Sequence, residues 1–264
     1  MRLAVFGDVH GNVWALDAVL QAIEAAKADV SIFLGDAVLR VPAPREAMER
    51  LRASVDLAVR GNYDWFVIGG FPGEAERIAR EPYLPAEVAW TRRQLTPQDV
   101  AYLERLPLTT RLFEGTEMHL VVAHASPGKA FGGLFPPPGQ HRWGMTDAAC
   151  RALLEGEPAP TILCGHTHAV MDRRVGRYRI LNPGSVSLGW NRADEMDGLA
   201  RWALLEWEPG GWRVEFREEE YDHRPVWEAY RRWELWPELC RYEKPRWWGE
   251  RAREFAERCA DVRK

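Results

Sequence analysis

The chain has 264 residues, 46% of them hydrophobic and 28% charged, ordinary proportions for one large globular domain or two small ones, and they exclude a disordered chain. With 35 basic against 39 acidic residues the formal charge is −4, so no global field draws the chain to nucleic acid or to an anionic membrane. No apolar run approaches the roughly 18–20 residues that cross a bilayer, and the opening MRLAVFGDVHG breaks at Gly7-Asp8 too early for a signal peptide.

Residues 2–6 (RLAVF) predict a buried strand. A turn over Gly7–Gly11 follows, then a helix from Asn12, a good N-cap, with Val13, Leu16, Val19, Leu20 and Ile23 on one face. Residues 30–34 (VSIFL) predict a second strand ending at Gly35-Asp36. A helix near 44–53 and a strand at 55–59 (VDLAV) come next, the strand running into Arg60-Gly61-Asn62. The first 65 residues therefore predict β-α-β-α-β, and in an open parallel sheet the ligand crevice lies at the strand C-termini. Residues 71–106 predict a helical insertion over part of the core, with Thr96-Pro97-Gln98-Asp99 as a clean helix start. Two strands are expected between 108 and 123, then a long Gly/Pro-rich loop over 127–145 whose His141 and Arg142 are candidates to reach a site. A helix (146–155), a strand (160–164) and a run of short strands to about 217 complete a main body of residues 1–220.

Residues 221–264 form a Trp-rich extension; eight of the 13 Trp fall between Trp202 and Trp248. Pro225 and Pro245 bracket two predicted helices, and in the second Trp248, Ala252, Phe255, Cys259 and Val262 make one face apolar. The extension is expected to pack on the main body, with a homodimer contact as the alternative. Cys150, Cys164, Cys240 and Cys259 lie far apart with no CxxC pair, which argues against a zinc knuckle and for buried, reduced thiols in a cytoplasmic protein.

Four polar clusters each follow a predicted strand: Asp8-Val9-His10, Gly35-Asp36, Gly61-Asn62-Tyr63-Asp64 and Gly165-His166-Thr167-His168; His124 follows HLVVA. Loops at one rim of a sheet can converge although they are far apart in sequence. Their carboxylates, imidazoles and amide suit first-row divalent cations such as Mn, Fe, Co, Ni or Zn. Asp8, His10, Asp36, Asn62, His124, His166 and His168 are too many ligands for one tetrahedral ion, but suit two ions sharing a carboxylate. Taken singly, D-x-H and Gly-Asn are ordinary chance or turn signals. His166 and His168 would point to opposite faces of an extended segment, so they can act together only if ions lie between them or the backbone bends.

These motifs resemble the calcineurin-like metallophosphoesterase superfamily, and Asn182-Pro183-Gly184-Ser185 resembles the NPGS turn of its small prokaryotic phosphodiesterases. Residues 37–51 (AVLRVPAPREAMERL) and His124-Ala125-Ser126-Pro127 are similar to segments of the subgroup that includes dinucleoside tetraphosphate hydrolases. The resemblance covers about residues 1–205 and implies a mixed α/β, four-layer α/β/β/α sandwich with a dinuclear centre at the strand ends, here carrying the helical insertion and the C-terminal extension. It implies Asp8, His10 and His168 on one metal, Asn62, His124 and His166 on the other, and Asp36 bridging. It further implies two divalent ions, manganese foremost, and a bridging hydroxide that attacks phosphorus in line. Asn12 and Arg60 sit beside the clusters as substrate contacts, or equally as an N-cap and a surface charge. Asp64 is a candidate to orient a metal-bound His.

Protein phosphatases of the superfamily carry GDxxDRG and GNHE, whose Asp and His form an acid pair for the leaving alkoxide. Here those positions are Leu39 and Tyr63. A better leaving group needs less help from a general acid, which favours small phosphodiesters or nucleotide phosphoanhydrides as substrates. A phosphomonoesterase or protein phosphatase, a nuclease, and a metal-free binding scaffold are the alternatives. Leu39 and Tyr63 disfavour the first, the absence of a basic stripe disfavours duplex nucleic acid, and the complete ligand set disfavours the last.

Overall fold

The computed structural model describes residues 1–71, 73, 76, 83–140, 143–188 and 198–235. Its layers follow from the period-2 alternation of the strands. On β1 (Arg2–Phe6), Leu3 and Val5 join one apolar cluster while Ala4 and Phe6 join another. On β2 (Val30–Phe33), Ile32 joins the first cluster and Phe33 the second. Both strands are thus buried on two sides, as a covered parallel sheet requires.

The first sheet runs β10-β9-β1-β2-β3, with β3 at Leu57–Ala58, β9 at Leu199–Glu208 and β10 at Gly211–Glu220. Its β1, β2 and β3 are parallel; β9 is antiparallel to β1 and β10 to β9. The second sheet runs β4-β5-β6-β8-β7, formed by Thr109–Leu112, Leu120–Ala123, Thr161–Leu163, Met171–Val175 (β7) and Tyr178–Asn182 (β8). Its β5, β6 and β8 are parallel, between antiparallel edges. Leu3, Val5, Ile32 and Leu205 of the first sheet meet Leu120, Val122, Leu163 and Leu181 of the second in one buried layer. Each such side chain contributes about 1.5–3 kcal/mol by leaving water.

The outer face of the first sheet is covered by α1 (Val13–Ala26), α2 (Pro44–Ser54), α3 (Asn62–Ile68), α4 (Leu84–Gln94) and α5 (Pro97–Arg105), through Leu16, Met48, Phe66, Leu84 and Leu103. On the second sheet, Cys150 of α6 (Asp147–Leu153) packs with Val121, Ile162 and Ile180. The result is a helix–sheet–sheet–helix sandwich. Asn12 accepts from the Ala15 N–H to start α1, and Thr96 and Asp99 close a reciprocal capping box at α5.

Two expectations change. The strand expected over 55–59 shrinks to Leu57–Ala58, because the Asp56 carboxylate accepts both the N–H and the hydroxyl of Ser31 and displaces the ladder at that point. The short strands expected before 217 include one hairpin of two ten-residue strands, β9 and β10. In the C-terminal region, α7 (Arg224–Arg232) packs Val226, Trp227 and Tyr230, with Trp233 beyond it, against Val41, Leu188 and the half-buried Trp14, Tyr83 and Trp90. The helix expected around Trp248–Val262 lies outside the described residues, as do Cys240, Cys259, His141 and Arg142. Among the described residues no helix is long and apolar enough to cross a membrane, and Cys150 and Cys164 are buried free thiols.

Candidate metal centre

Five parallel strands point their C-termini at one rim, and each delivers a polar side chain there. Asp8 and His10 follow β1, Asp36 follows β2, Asn62 opens α3 after β3, His124 follows β5, and His166 and His168 follow β6. The loops bend sharply where the donors sit. Asp8, His10, Asp36, His166 and His168 all have positive φ, between 50° and 65°. That left-handed region is uncommon for residues with a Cβ, and its cost is tolerated where the surroundings hold it. The bend is also what lets His166 and His168 serve one site from a two-residue spacing. Glycines let the loops meet: a Cβ on Gly61 would stand 2.0 Å from Asp36 Oδ1, and one on Gly165 would stand 2.7 Å from Asp8 Oδ2.

The donors form two groups. His10 Nε2 lies 3.2 Å from His168 Nε2, and His168 Nε2 lies 3.3 Å from Asp8 Oδ1. His124 Nε2 lies 3.2 Å from His166 Nδ1, and Asn62 Oδ1 is 2.9 and 2.8 Å from these two nitrogens. Asp36 Oδ2 stands between the groups, 3.3 Å from His124 Nε2 and 3.9 Å from His10 Nε2. Asp8 can share a cation either with His10 and His168 or with Asp36 and His124. Six of the seven donor side chains are buried, and His166 is partly so. Among the described residues the buried Asp8 and Asp36 pair with imidazoles and with no Lys or Arg. Facing ring nitrogens can share one proton or one cation, and buried carboxylates demand positive charge nearby. The donor set therefore fits divalent metal ions.

Burial holds the His10 imidazole well below its usual range despite Asp36, and burial with His124 nearby holds His166 down to about 3, so both rings keep their lone pairs. Burial would also lower His124, but Asp36 outweighs it and pushes this ring up to about 9. Its Nδ1 donates to the Leu34 carbonyl at 2.8 Å, turning Nε2 into the site. Burial would raise Asp8, but His168, His124 and His166 together hold it below the usual carboxylate range.

Three polar residues beside the donors have partners away from the cluster. Of the two roles expected for Asn12, its contacts give the N-cap: Oδ1 caps α1, and Nδ2 donates to Ser187 Oγ and Tyr221 Oη at 3.3 and 3.0 Å. Arg60 donates to the Leu103 and Glu104 carbonyls and so satisfies the end of α5. The Asp64 carboxylate accepts from the N–H groups of Asp36, Ala37 and Gly61 at 2.9, 2.8 and 2.9 Å. Burial and Asp36 push its carboxyl up to about 6, which leaves it ionised at neutral pH.

Some of the support gave no sequence signal. The Leu34 carbonyl is one such case, since it acts through its backbone. The Asn182–Ser185 turn could have been found from its motif. Asn182 Nδ2 donates to the Gly165 carbonyl and Thr167 Oγ1, and Ser185 Oγ donates to the Asp8 carbonyl at 2.9 Å. One turn thus braces the loops of Asp8 and of both late histidines. The 127–145 loop reaches the site at Gly133, where an added Cβ would meet the His166 ring at 2.7 Å. His119 precedes β5 and His223 precedes α7, and neither joins the cluster.

Known proteins share this outline. Residues 1–201 match the profile of the calcineurin-like phosphoesterase superfamily domain. An uncharacterised protein of Methanocaldococcus jannaschii, MJ0912, is 23% identical over 261 residues, spanning 94% of this chain and 96% of that protein. The crystal structure of a metallophosphoesterase from Sphaerobacter thermophilus is 28% identical with a TM-score of 0.65, covering 88% of this chain and 93% of its own. That of hypothetical protein PH1004 from Pyrococcus horikoshii OT3 has a TM-score of 0.71 at 23% identity, over 87% of this chain and 92% of its own, a likeness of fold.

Proposed function

Because the chain belongs to the calcineurin-like phosphoesterase superfamily, we propose that it hydrolyses small phosphodiesters or nucleotide phosphoanhydrides at a centre of two divalent ions, manganese foremost. One observation carries this reading: Asp36 Oδ2 stands between two imidazole pairs, 3.3 Å from His124 and 3.9 Å from His10. Asp8, His10 and His168 would hold one ion, Asn62, His124 and His166 the other, with Asp36 shared. Ions bound there supply a water of lowered pKa and positive charge for the oxygens on phosphorus.

The chain's own residues set the rest. The Leu34 carbonyl fixes the His124 tautomer, and Asp64 fixes the backbone from which Asp36 projects. Leu39 is fully buried and Tyr63 presents a phenol ring edge-on to His10, so no imidazole–carboxylate acid pair stands at those positions. A substrate must leave without that pair, which favours diesters and anhydrides over phosphoserine. Manganese-supplemented protein is expected to hydrolyse bis(p-nitrophenyl) phosphate, and EDTA to abolish that activity. Metal-loaded protein with no turnover on any diester, monoester or nucleotide would refute the catalytic reading.

Metal binding should also be visible as proton release. With its pKa raised from 6.5 to about 9, His124 is protonated at neutral pH in the metal-free protein. Its contribution to stability is complete below pH 6.5 and is lost as pH rises through 9. A cation must displace that proton, so manganese added at pH 7 should release about one proton per chain, and affinity should rise about tenfold per pH unit toward pH 9. Calorimetry in buffers of different ionisation enthalpy measures both; a pH-independent affinity would remove His124 from the ligand set.

A further inference from the structure

Outside the ring of donors, Arg40 is held near the site by several contacts. It and Leu39 have φ of 79° and 70°, a conformation that L side chains rarely adopt. Arg40 is 7% exposed, and three residues from two elements grip it. Its N–H donates to Glu87 of α4, its carbonyl accepts from Tyr230 of α7 at 2.7 Å, and its guanidinium donates to Tyr83 at 2.9 Å. Burial and Glu87 push the Tyr230 phenol well up, so the hydroxyl keeps the proton it donates.

The gripped residue reaches His10 by two routes. Its guanidinium lies over the Tyr63 ring, 4.4 Å from the centroid, and Tyr63 meets the His10 ring edge-on at 5.2 Å. The next residue, Val41, donates its N–H to the His10 carbonyl at 2.9 Å. His10 needs such support, because its Nδ1 is buried without a hydrogen-bond partner. A metal-binding imidazole is ordinarily oriented by a hydrogen bond at its far nitrogen, as the Leu34 carbonyl does for His124.

We propose that Arg40 is a positioning residue for His10, aiming its imidazole through Tyr63 and Val41, and that α4 and α7 complete the centre from outside its rim through Glu87, Tyr83 and Tyr230. This rests on the reading of His10 as a metal ligand. Arg40→Lys keeps the charge but loses the planar stack and the donor fork; Tyr63→Leu removes the ring; Tyr230→Phe removes one hydroxyl.

The test is titration of the metal-free full chain with cobalt(II), followed by visible absorption and equilibrium dialysis, with His10→Ala marking the ion that His10 holds. That ion alone is expected to weaken about 10–100-fold in Arg40→Lys and Tyr63→Leu, and less in Tyr230→Phe. The other ion and the melting temperature should stay near parent values, and the Arg40→Lys/Tyr63→Leu double variant should be no weaker than the worse single. Unchanged affinities in all three variants overturn the proposal. So does equal weakening of both ions with a fallen melting temperature, which marks a merely structural role. A parent chain that binds no cobalt overturns the reading of the centre itself, and is distinguished by failing before any variant is made.

Discussion

Asp36→Asn is expected to lower diester turnover by about three orders of magnitude while leaving the fold intact. The carboxylate stands between the two imidazole pairs, and an amide of the same shape keeps its volume but removes its charge. Charge stabilisation by a bound metal is worth several kcal/mol, and each 1.4 kcal/mol is about a factor of ten in rate. The backbone around it should survive, because Asp36 N–H is held by Asp64 and not by its own side chain. One local contact does change: Asp36 Oδ1 accepts from the Tyr63 N–H at 2.8 Å, and the Asn carbonyl oxygen can replace it. The measurement is steady-state kinetics on bis(p-nitrophenyl) phosphate at saturating manganese, with metal content determined alongside. Turnover within tenfold of the parent would show that the shared carboxylate is not Asp36, leaving Asp8, which reaches both donor groups.

Asp64→Ala is expected to destabilise the metal-free protein by about 3 kcal/mol, the second large effect. Its carboxylate accepts three backbone N–H bonds, from Asp36, Ala37 and Gly61, and it is fully buried. Alanine would leave three donors without a partner, each costing about 1–3 kcal/mol. Part of that loss is offset, since burial and the nearby Asp36 already oppose the ionised carboxyl and raise it to about 6. Urea unfolding without metal isolates this term from any effect of bound ions. A change within about 0.5 kcal/mol, the size seen at ordinary surface positions, would show that the loops hold together without Asp64.

The chemical types at the rim were legible in the sequence because each comes directly after a strand that hydropathy reveals. RLAVF, VSIFL and HLVVA are apolar runs, and the residues at their C-terminal ends sit at a sheet edge whatever course the loop takes. The strands were legible for the same reason, apart from the two-residue β3 and the length of the β9–β10 hairpin, whereas the four-layer sandwich came from the resemblance of the motifs. The roles of polar side chains beside those motifs were less legible. Asn12, Arg60 and Asp64 all lie next to donor residues in sequence, yet they turn to Ala15, Leu103 and the Asp36 backbone. Which way such a side chain turns depends on φ at its own position and on partners tens of residues away. Arg40 shows this most clearly, since Glu87 and Tyr230 meet it from helices 47 and 190 positions later.

The order of donor types along the chain, and their placement after strands, came from the sequence alone, because strand ends are set by local apolar periodicity. Beyond what the family resemblance implied, the tertiary structure decided which donors face one another and which nitrogen each ring turns inward. It also decided which neighbours serve as braces. Those choices depend on left-handed loop turns and on contacts between distant elements, and no local pattern encodes them.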